Sequence, residues 1–168
     1  MSVFFSVQEV VEMAISTERS GQVFYQIASK LTKEKNLKEL LGYLAGEEEK
    51  HLKTFQGLYD VLKERGEQAP YNWEEVKLYL KAIIDSRFFT GPDKAIQMAR
   101  EAKSGIEVLN SAISFEKETL LFFYEMLEVV KSQESNLIKK IIEEEKKHVR
   151  KLSAMKSRLN RHSPSKGL

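Results

Sequence analysis

Two short stretches of this 168-residue chain carry the same pattern, a glutamate followed three residues later by a histidine: Glu48 with His51, and Glu145 with His148. Residues three apart on an α-helix lie on nearly the same face, so each pair can aim a carboxylate and an imidazole at one point. Both pairs interrupt apolar helical stripes, Leu41, Leu44, Phe55, Leu58, Leu62 in one case and Ile138, Ile141, Leu152, Met155, Leu159 in the other. Two more stripes are interrupted by a single glutamate. Glu18 stands among Val7, Val11, Ala14, Gly21, Tyr25 and Ala28, and Glu116 among Ile106, Leu109, Ile113, Leu120, Phe123, Leu127 and Val130. Four buried carboxylates without compensation would take up protons or unfold the core. Two divalent cations would balance them and leave both histidines as neutral nitrogen donors. Glu18, Glu48, His51, Glu116, Glu145 and His148 are therefore candidate ligands of a two-metal site.

Each of these residues has a plainer reading by itself: a lone glutamate is usually on the surface, and one E-x-x-H on a charged helix arises by chance. Their occurrence at equal levels in four stripes outweighs that reading. The third histidine, His162, falls in a polar tail and is expected to be solvated. Glu47, Glu49, Glu118, Glu143 and Glu144 lie off the stripes and read as solvent-facing, with a supporting role beside the site as the lesser alternative for the four that flank the E-x-x-H pairs. Tyr25 and Tyr124, about two turns beyond their glutamates, could hydrogen-bond near the site, but core packing is the safer expectation. The basic run KKHVRKL suits a solvated face and a helix C-terminus.

These side chains need four long helices to position them. With 3 Pro and 8 Gly in the chain, the stretches between breakers are periodic at three and four residues, and no strand is expected. Ser6 and Glu9 have capping-box spacing and open a helix to about Leu31; a turn over residues 32–36 leads to a second helix ending near Gly66. Residues 66–104 contain the breakers GEQAPYN and FFTGP and two shorter helices, one capped by Asn72 and one starting near Pro92. Ser104 and Glu107 open the third long helix, to about Val130. After a turn over residues 131–136 a fourth runs to about Asn160. The expected fold is all-α, a four-helix bundle with one long crossover connection containing short helices. Residues 1–160 form one domain and 161–168 a flexible tail.

The halves of the chain are copies. A shift of 98 residues aligns Ser6 with Ser104, Glu9 with Glu107, Ala14 with Ala112, Glu18 with Glu116 and Phe24 with Phe122, and a shift of 97 aligns Glu48 with Glu145 and His51 with His148. A repeated helical hairpin gives a pseudo-twofold bundle with matching side chains across its axis, which suits a paired metal site. Composition narrows the options further. The net charge of +2 from 27 basic and 25 acidic residues makes nucleic acid an unlikely default partner, and the absence of cysteine excludes disulfides, thiolate metal sites and cysteine nucleophiles. With no membrane-length apolar run and no secretory pattern at the start, a cytoplasmic location is expected.

The motifs AISTE, EEKH, AISFE and EKKH resemble the rubrerythrin branch of the ferritin-like di-iron carboxylate proteins, over residues 6–160. One Glu from each of two helices plus Glu-x-x-His from each of the other two is the known ligand pattern of that class. The resemblance implies that Glu18, Glu48, Glu116 and Glu145 are carboxylate ligands, some bridging, with His51 and His148 terminal. Rubrerythrins proper usually add a rubredoxin-like domain with two cysteine pairs, which this chain lacks. They also carry an extra glutamate three residues after the third-helix ligand, where this chain has Thr119; that bears on peroxidase activity of the rubrerythrin kind and not on the metal site.

Oxygen and nitrogen ligands without sulfur favour iron or manganese, with zinc also compatible, and two iron ions are the expected occupants. Metals about 3.5–4 Å apart can clamp a two-oxygen ligand. The expected activity is that of a di-iron oxidoreductase reducing peroxide or O2, with electrons from a separate donor because the chain holds no second redox centre. The alternative is a ferroxidase or iron-sequestering protein without turnover, and a third reading is an interaction module with a structural metal. A twofold homodimer is compatible with a bundle of this size.

Overall fold

The computed structural model describes residues 6–65, 73–84, 91–130 and 132–162. Four long helices, α1 (Val7–Leu31), α2 (Lys35–Arg65), α5 (Gly105–Val129) and α6 (Ser132–His162), are joined through two short ones, α3 (Trp73–Ile84) and α4 (Pro92–Glu101). The expected four-helix bundle with a long crossover is the observed arrangement, and among the described residues there is no strand. No helix among them is long and apolar enough to cross a membrane.

The helix starts show how local chemistry sets the elements. At α1 the capping box is complete: the Glu9 N–H donates to Ser6 Oγ at 3.2 Å and the Ser6 N–H donates to the Glu9 carboxylate. At α5 the Glu107 N–H donates to Ser104 Oγ at 3.2 Å, but Glu107 reaches back one residue further, accepting from the Lys103 N–H at 2.8 Å. Pro92 opens α4 as expected, whereas Asn72, the expected cap of α3, lies outside the described residues.

Two helices begin earlier than their sequence suggests. α2 starts at Lys35 because the Glu34 carboxylate accepts from the N–H groups of Asn36 (3.2 Å) and Leu37 (2.5 Å), filling the role usually taken by a shorter side chain. α6 starts at Ser132, inside the expected turn; Arg65, at the end of α2, donates to Gln133 Oε1 at 3.3 Å and to the Glu134 carboxylate, tying the first turn of α6 to the bundle. At its other end α6 runs through Arg161 and His162, two residues into the segment expected to be a tail. His162 is exposed, as anticipated, with Nδ1 2.7 Å from the Arg158 carbonyl.

The core is divided into two apolar clusters. One gathers Val7–Ala14 positions of α1, Phe55–Leu62 of α2, Phe122–Val130 of α5 and Ile138–Ile142 of α6, with Trp73, Val76, Leu80 and Ile83 of α3. The other gathers Phe24–Ala28 of α1, Leu37–Ala45 of α2, Val108–Ala112 of α5 and Leu152–Met155 of α6, with Ala95, Met98 and Ala99 of α4. The order in which each helix visits the clusters fixes the topology. α1 runs parallel to α6 and antiparallel to α2 and α5, so the crossover carries the chain from one end of the bundle to the other, α3 covering the first cluster and α4 the second.

The stripes expected for α1 and α2 are buried at every position. On α5 half of the expected stripe is buried, Leu109, Glu116, Phe123 and Val130, while Ile106, Ile113, Leu120 and Leu127 are only half-buried and Val108, Ala112, Phe115, Thr119, Phe122 and Met126 are buried beside it. This helix is apolar on more than one face because α3 also packs on it, so periodicity alone does not single out the bundle-facing row.

Candidate metal centre

Between the two apolar clusters lies one polar layer. Glu18, Glu48, His51, Glu116, Glu145 and His148 are each 0 to 2 % exposed, and every one of them sits on its helix between the segments that build the two clusters. They fall into two groups, Glu18, Glu48, His51 and Glu145 in one and Glu48, Glu116, Glu145 and His148 in the other. Within each group the potential ligand atoms lie within 4.8 Å of one another. Glu48 and Glu145 belong to both groups, so the two carboxylates of the E-x-x-H pairs are the ones able to bridge, while Glu18 and Glu116 each serve one side.

The residues fit a pair of cations. Both oxygens of Glu18, both of Glu48, Glu116 Oε2 and Glu145 Oε1 are buried without a hydrogen-bond partner, a set that a protein core does not tolerate unless something positive satisfies it. His51 Nδ1 lies 2.7 Å from Glu145 Oε1 and 3.6 Å from Glu18 Oε2, yet it has no hydrogen-bond geometry to either; the three atoms converge as ligand atoms do. On the other side His148 Nδ1 lies 2.9 Å from Glu145 Oε2, 3.6 Å from Glu48 Oε1 and 3.7 Å from Glu116 Oε1. The two imidazoles stack across the layer with centroids 5.7 Å apart.

Electrostatics carry the same message. Burial, reinforced by the Glu145 and neighbouring carboxylates, pushes the Glu48 and Glu116 carboxyls well above the usual range. His51 is pushed up to about 11, because the carboxylates of Glu145 and Glu18 overcome the burial that opposes its charge. For Glu145 burial again opposes ionisation, but the hydrogen bond and charge of His148 and the close approach of His51 win and hold its carboxyl low. Without metal, the layer recruits protons to do part of the work of cations.

Two supporting residues differ from their sequence reading. Tyr25 is fully buried and its hydroxyl donates to Glu116 Oε1; burial and the nearby Glu116 and Glu48 charges raise its pKa well above the phenol range, so the proton stays on the ring oxygen. Its repeat counterpart is Phe123, so Glu18 has no equivalent donor and the two halves of the site are not alike. Glu144, read as more probably solvent-facing than supporting, accepts from His51 Nε2 at 2.9 Å while 30 % of its side chain remains exposed. That bond keeps a proton on Nε2, so that once the imidazole is neutral its Nδ1 lone pair faces the layer. Glu47, the counterpart of Glu144, pairs instead with Lys50 at 2.5 Å. Tyr124 is 44 % exposed and lies under the Lys146 ammonium, away from the layer.

Gly21 holds a tight passage in this layer. A Cβ there would stand 2.8 Å from Phe115 Cε1 and 3.3 Å from the Glu48 carboxyl carbon. Gly21→Ala is expected to lower stability by about 1 kcal/mol net, overpacking costing about 1–3 and helix propensity returning about 1. Equilibrium unfolding measures it, and an alanine variant as stable as the parent would show that the ring and carboxylate move aside freely.

Comparisons with known proteins agree with this architecture. No curated protein matches the chain. Among solved structures, the chain is similar to a Thermotoga maritima protein provisionally described as a ferritin-like diiron-carboxylate protein, with 28% identity, a TM-score of 0.66, and coverage of 91% of this chain and 95% of that one. The rubrerythrin family model matches residues 9–156, nearly the whole of the described bundle, and the chain belongs to the rubrerythrin family.

Proposed function

We propose that the protein is a di-iron oxidoreductase that reduces peroxide or O2, in which Glu18, Glu48, His51, Glu116, Glu145 and His148 would hold two irons, Glu48 and Glu145 being common to both ligand groups. The observation that carries this reading is the buried layer itself, with its unpartnered ligand atoms arranged as two groups sharing two carboxylates. An iron pair supplies two electrons in one encounter, matching the reduction of one peroxide by two electrons and two protons to two waters. The protein's part is to hold the oxygen-rich site dry between two apolar clusters, to keep Glu116 oriented through Tyr25, and to keep His51 in the metal-binding tautomer through Glu144. The chain has no cysteine and no second metal cluster among its described residues, so a separate carrier must return the electrons.

Loading the protein with ferrous iron under anaerobic conditions and adding peroxide tests the proposal. Iron is expected to oxidise faster than free iron in the same buffer, at two irons per peroxide, and to cycle when a chemical reductant is supplied. Oxidation no faster than that of free iron would sink it. A single round that stops at site stoichiometry and ignores the reductant would favour the ferroxidase or iron-sequestering alternative.

A further inference from the structure

One turn beyond Glu18 and Glu116 the repeat places Gly21 and Thr119 at the same level of the bundle. This level borders the shared carboxylates, because the absent Cβ of Gly21 would come within 3.3 Å of the Glu48 carboxyl carbon. By the internal repeat the corresponding neighbour of Thr119 would be Glu145, and Thr119 shares a face of α5 with Glu116 three residues before it. Thr119 is 1 % exposed and its hydroxyl has no hydrogen-bond partner.

That isolation is unusual for this chain. Among the described residues the other buried hydroxyls are satisfied: Thr17 donates to the Met13 carbonyl and Ser20 to the Ser16 carbonyl, each at 2.9 Å, and Tyr25 donates to Glu116. A buried hydroxyl without a partner costs free energy that valine, of the same shape, would not. On the Gly21 side the corresponding space is filled by the Phe115 ring and Glu48, so at this level the Thr119 side offers a hydroxyl donor without a partner and the Gly21 side offers none.

We infer that the Thr119 hydroxyl is the donor that holds a small anionic ligand, of the peroxide or azide type, on the Glu116 side of the metal pair. Thr119 is then a ligand-binding residue and not a packing residue, and the difference between Gly21 and Thr119 selects one of the two sides. This inference rests on the two-metal reading of the site.

Azide titration of the iron-loaded, oxidised protein, followed by absorption, tests it alongside metal content and the unfolding of metal-free protein. Thr119→Val is expected to bind two irons, to be at least as stable as the parent without metal, and to bind azide about tenfold or more weakly. Thr119→Ser, which keeps the hydroxyl, is expected to bind azide nearly as the parent does. Unchanged azide affinity in the valine variant with two irons bound would overturn the inference and leave the two-metal reading standing. So would a loss of metal-free stability in that variant, since it would show that the hydroxyl has a structural partner. A parent protein that takes up no iron pair would overturn both together.

Discussion

Raising the pH from about 5 to about 8 should destabilise the metal-free protein, and two equivalents of ferrous, manganous or zinc ion should remove that loss. Glu48 and Glu116 have folded-state pKa values raised by burial and by the carboxylates around them. A group raised in this way contributes stability that is complete below its unfolded value, 4.5 for these two, and is lost as the pH climbs above it. His51 follows the same sign: its contribution is complete below 6.5 and is lost as the pH rises toward about 11. Glu145 has the opposite sign, its contribution vanishing only on acidification below 4.5, so it is flat through the window in question.

Each proton that the folded protein holds and the unfolded chain has already released lowers stability by about 1.4 kcal/mol per pH unit, so stability is expected to fall across the window. Metal ions require the deprotonated carboxylates and a neutral imidazole, and their binding strengthens as those protons leave, which reverses the slope. Denaturant unfolding at a series of pH values, with chelator and with metal, measures both curves. Metal-free stability that is level or rising through the window, with no response to metal, would mean that the four acids are not gathered in one dry layer.

The second large effect separates the two shared carboxylates. Replacing either Glu48 or Glu145 by glutamine removes a ligand from both groups and is expected to abolish binding of the pair, whereas Glu18→Gln touches one group and should leave one ion bound. Without metal the two variants should diverge. Glu48 is already inclined to the protonated form, so Glu48→Gln should change metal-free stability by no more than about 1 kcal/mol. Glu145 is the ionised partner of both histidines, at 2.7 Å from His51 Nδ1 and 2.9 Å from His148 Nδ1. Glu145→Gln leaves a buried imidazolium without its counter-charge and should cost about 3–5 kcal/mol. Metal analysis of the purified variants together with their unfolding curves decides the matter; full occupancy by two ions in Glu48→Gln would remove Glu48 from its bridging position.

The six residues of the layer were legible in the amino-acid sequence because an ionisable group in an apolar helical stripe breaks a pattern, and four such breaks related by an internal repeat leave few explanations. Caps at Ser6 and Ser104 were legible for a similar reason, each depending on residues three apart on one segment, and Pro92 was legible as a first helical residue because its ring fixes the backbone angle a helix needs. Tyr25 was not, since a tyrosine in a stripe looks like any large core residue and its partner, Glu116, is 91 positions away. Glu144 was misjudged as mainly a surface acid because it lies off the stripe and its role depends on a neighbouring helix turning His51 Nε2 toward it.

What the sequence by itself determined, then, was the face and level of each candidate ligand, which follow from 3.6 residues per turn within a single helix. Which carboxylates are shared, which row of α5 faces the bundle, and why the two halves differ were decided by the tertiary structure. Helical periodicity says where a side chain leaves its own axis; only the packing of four axes against one another says what it meets there.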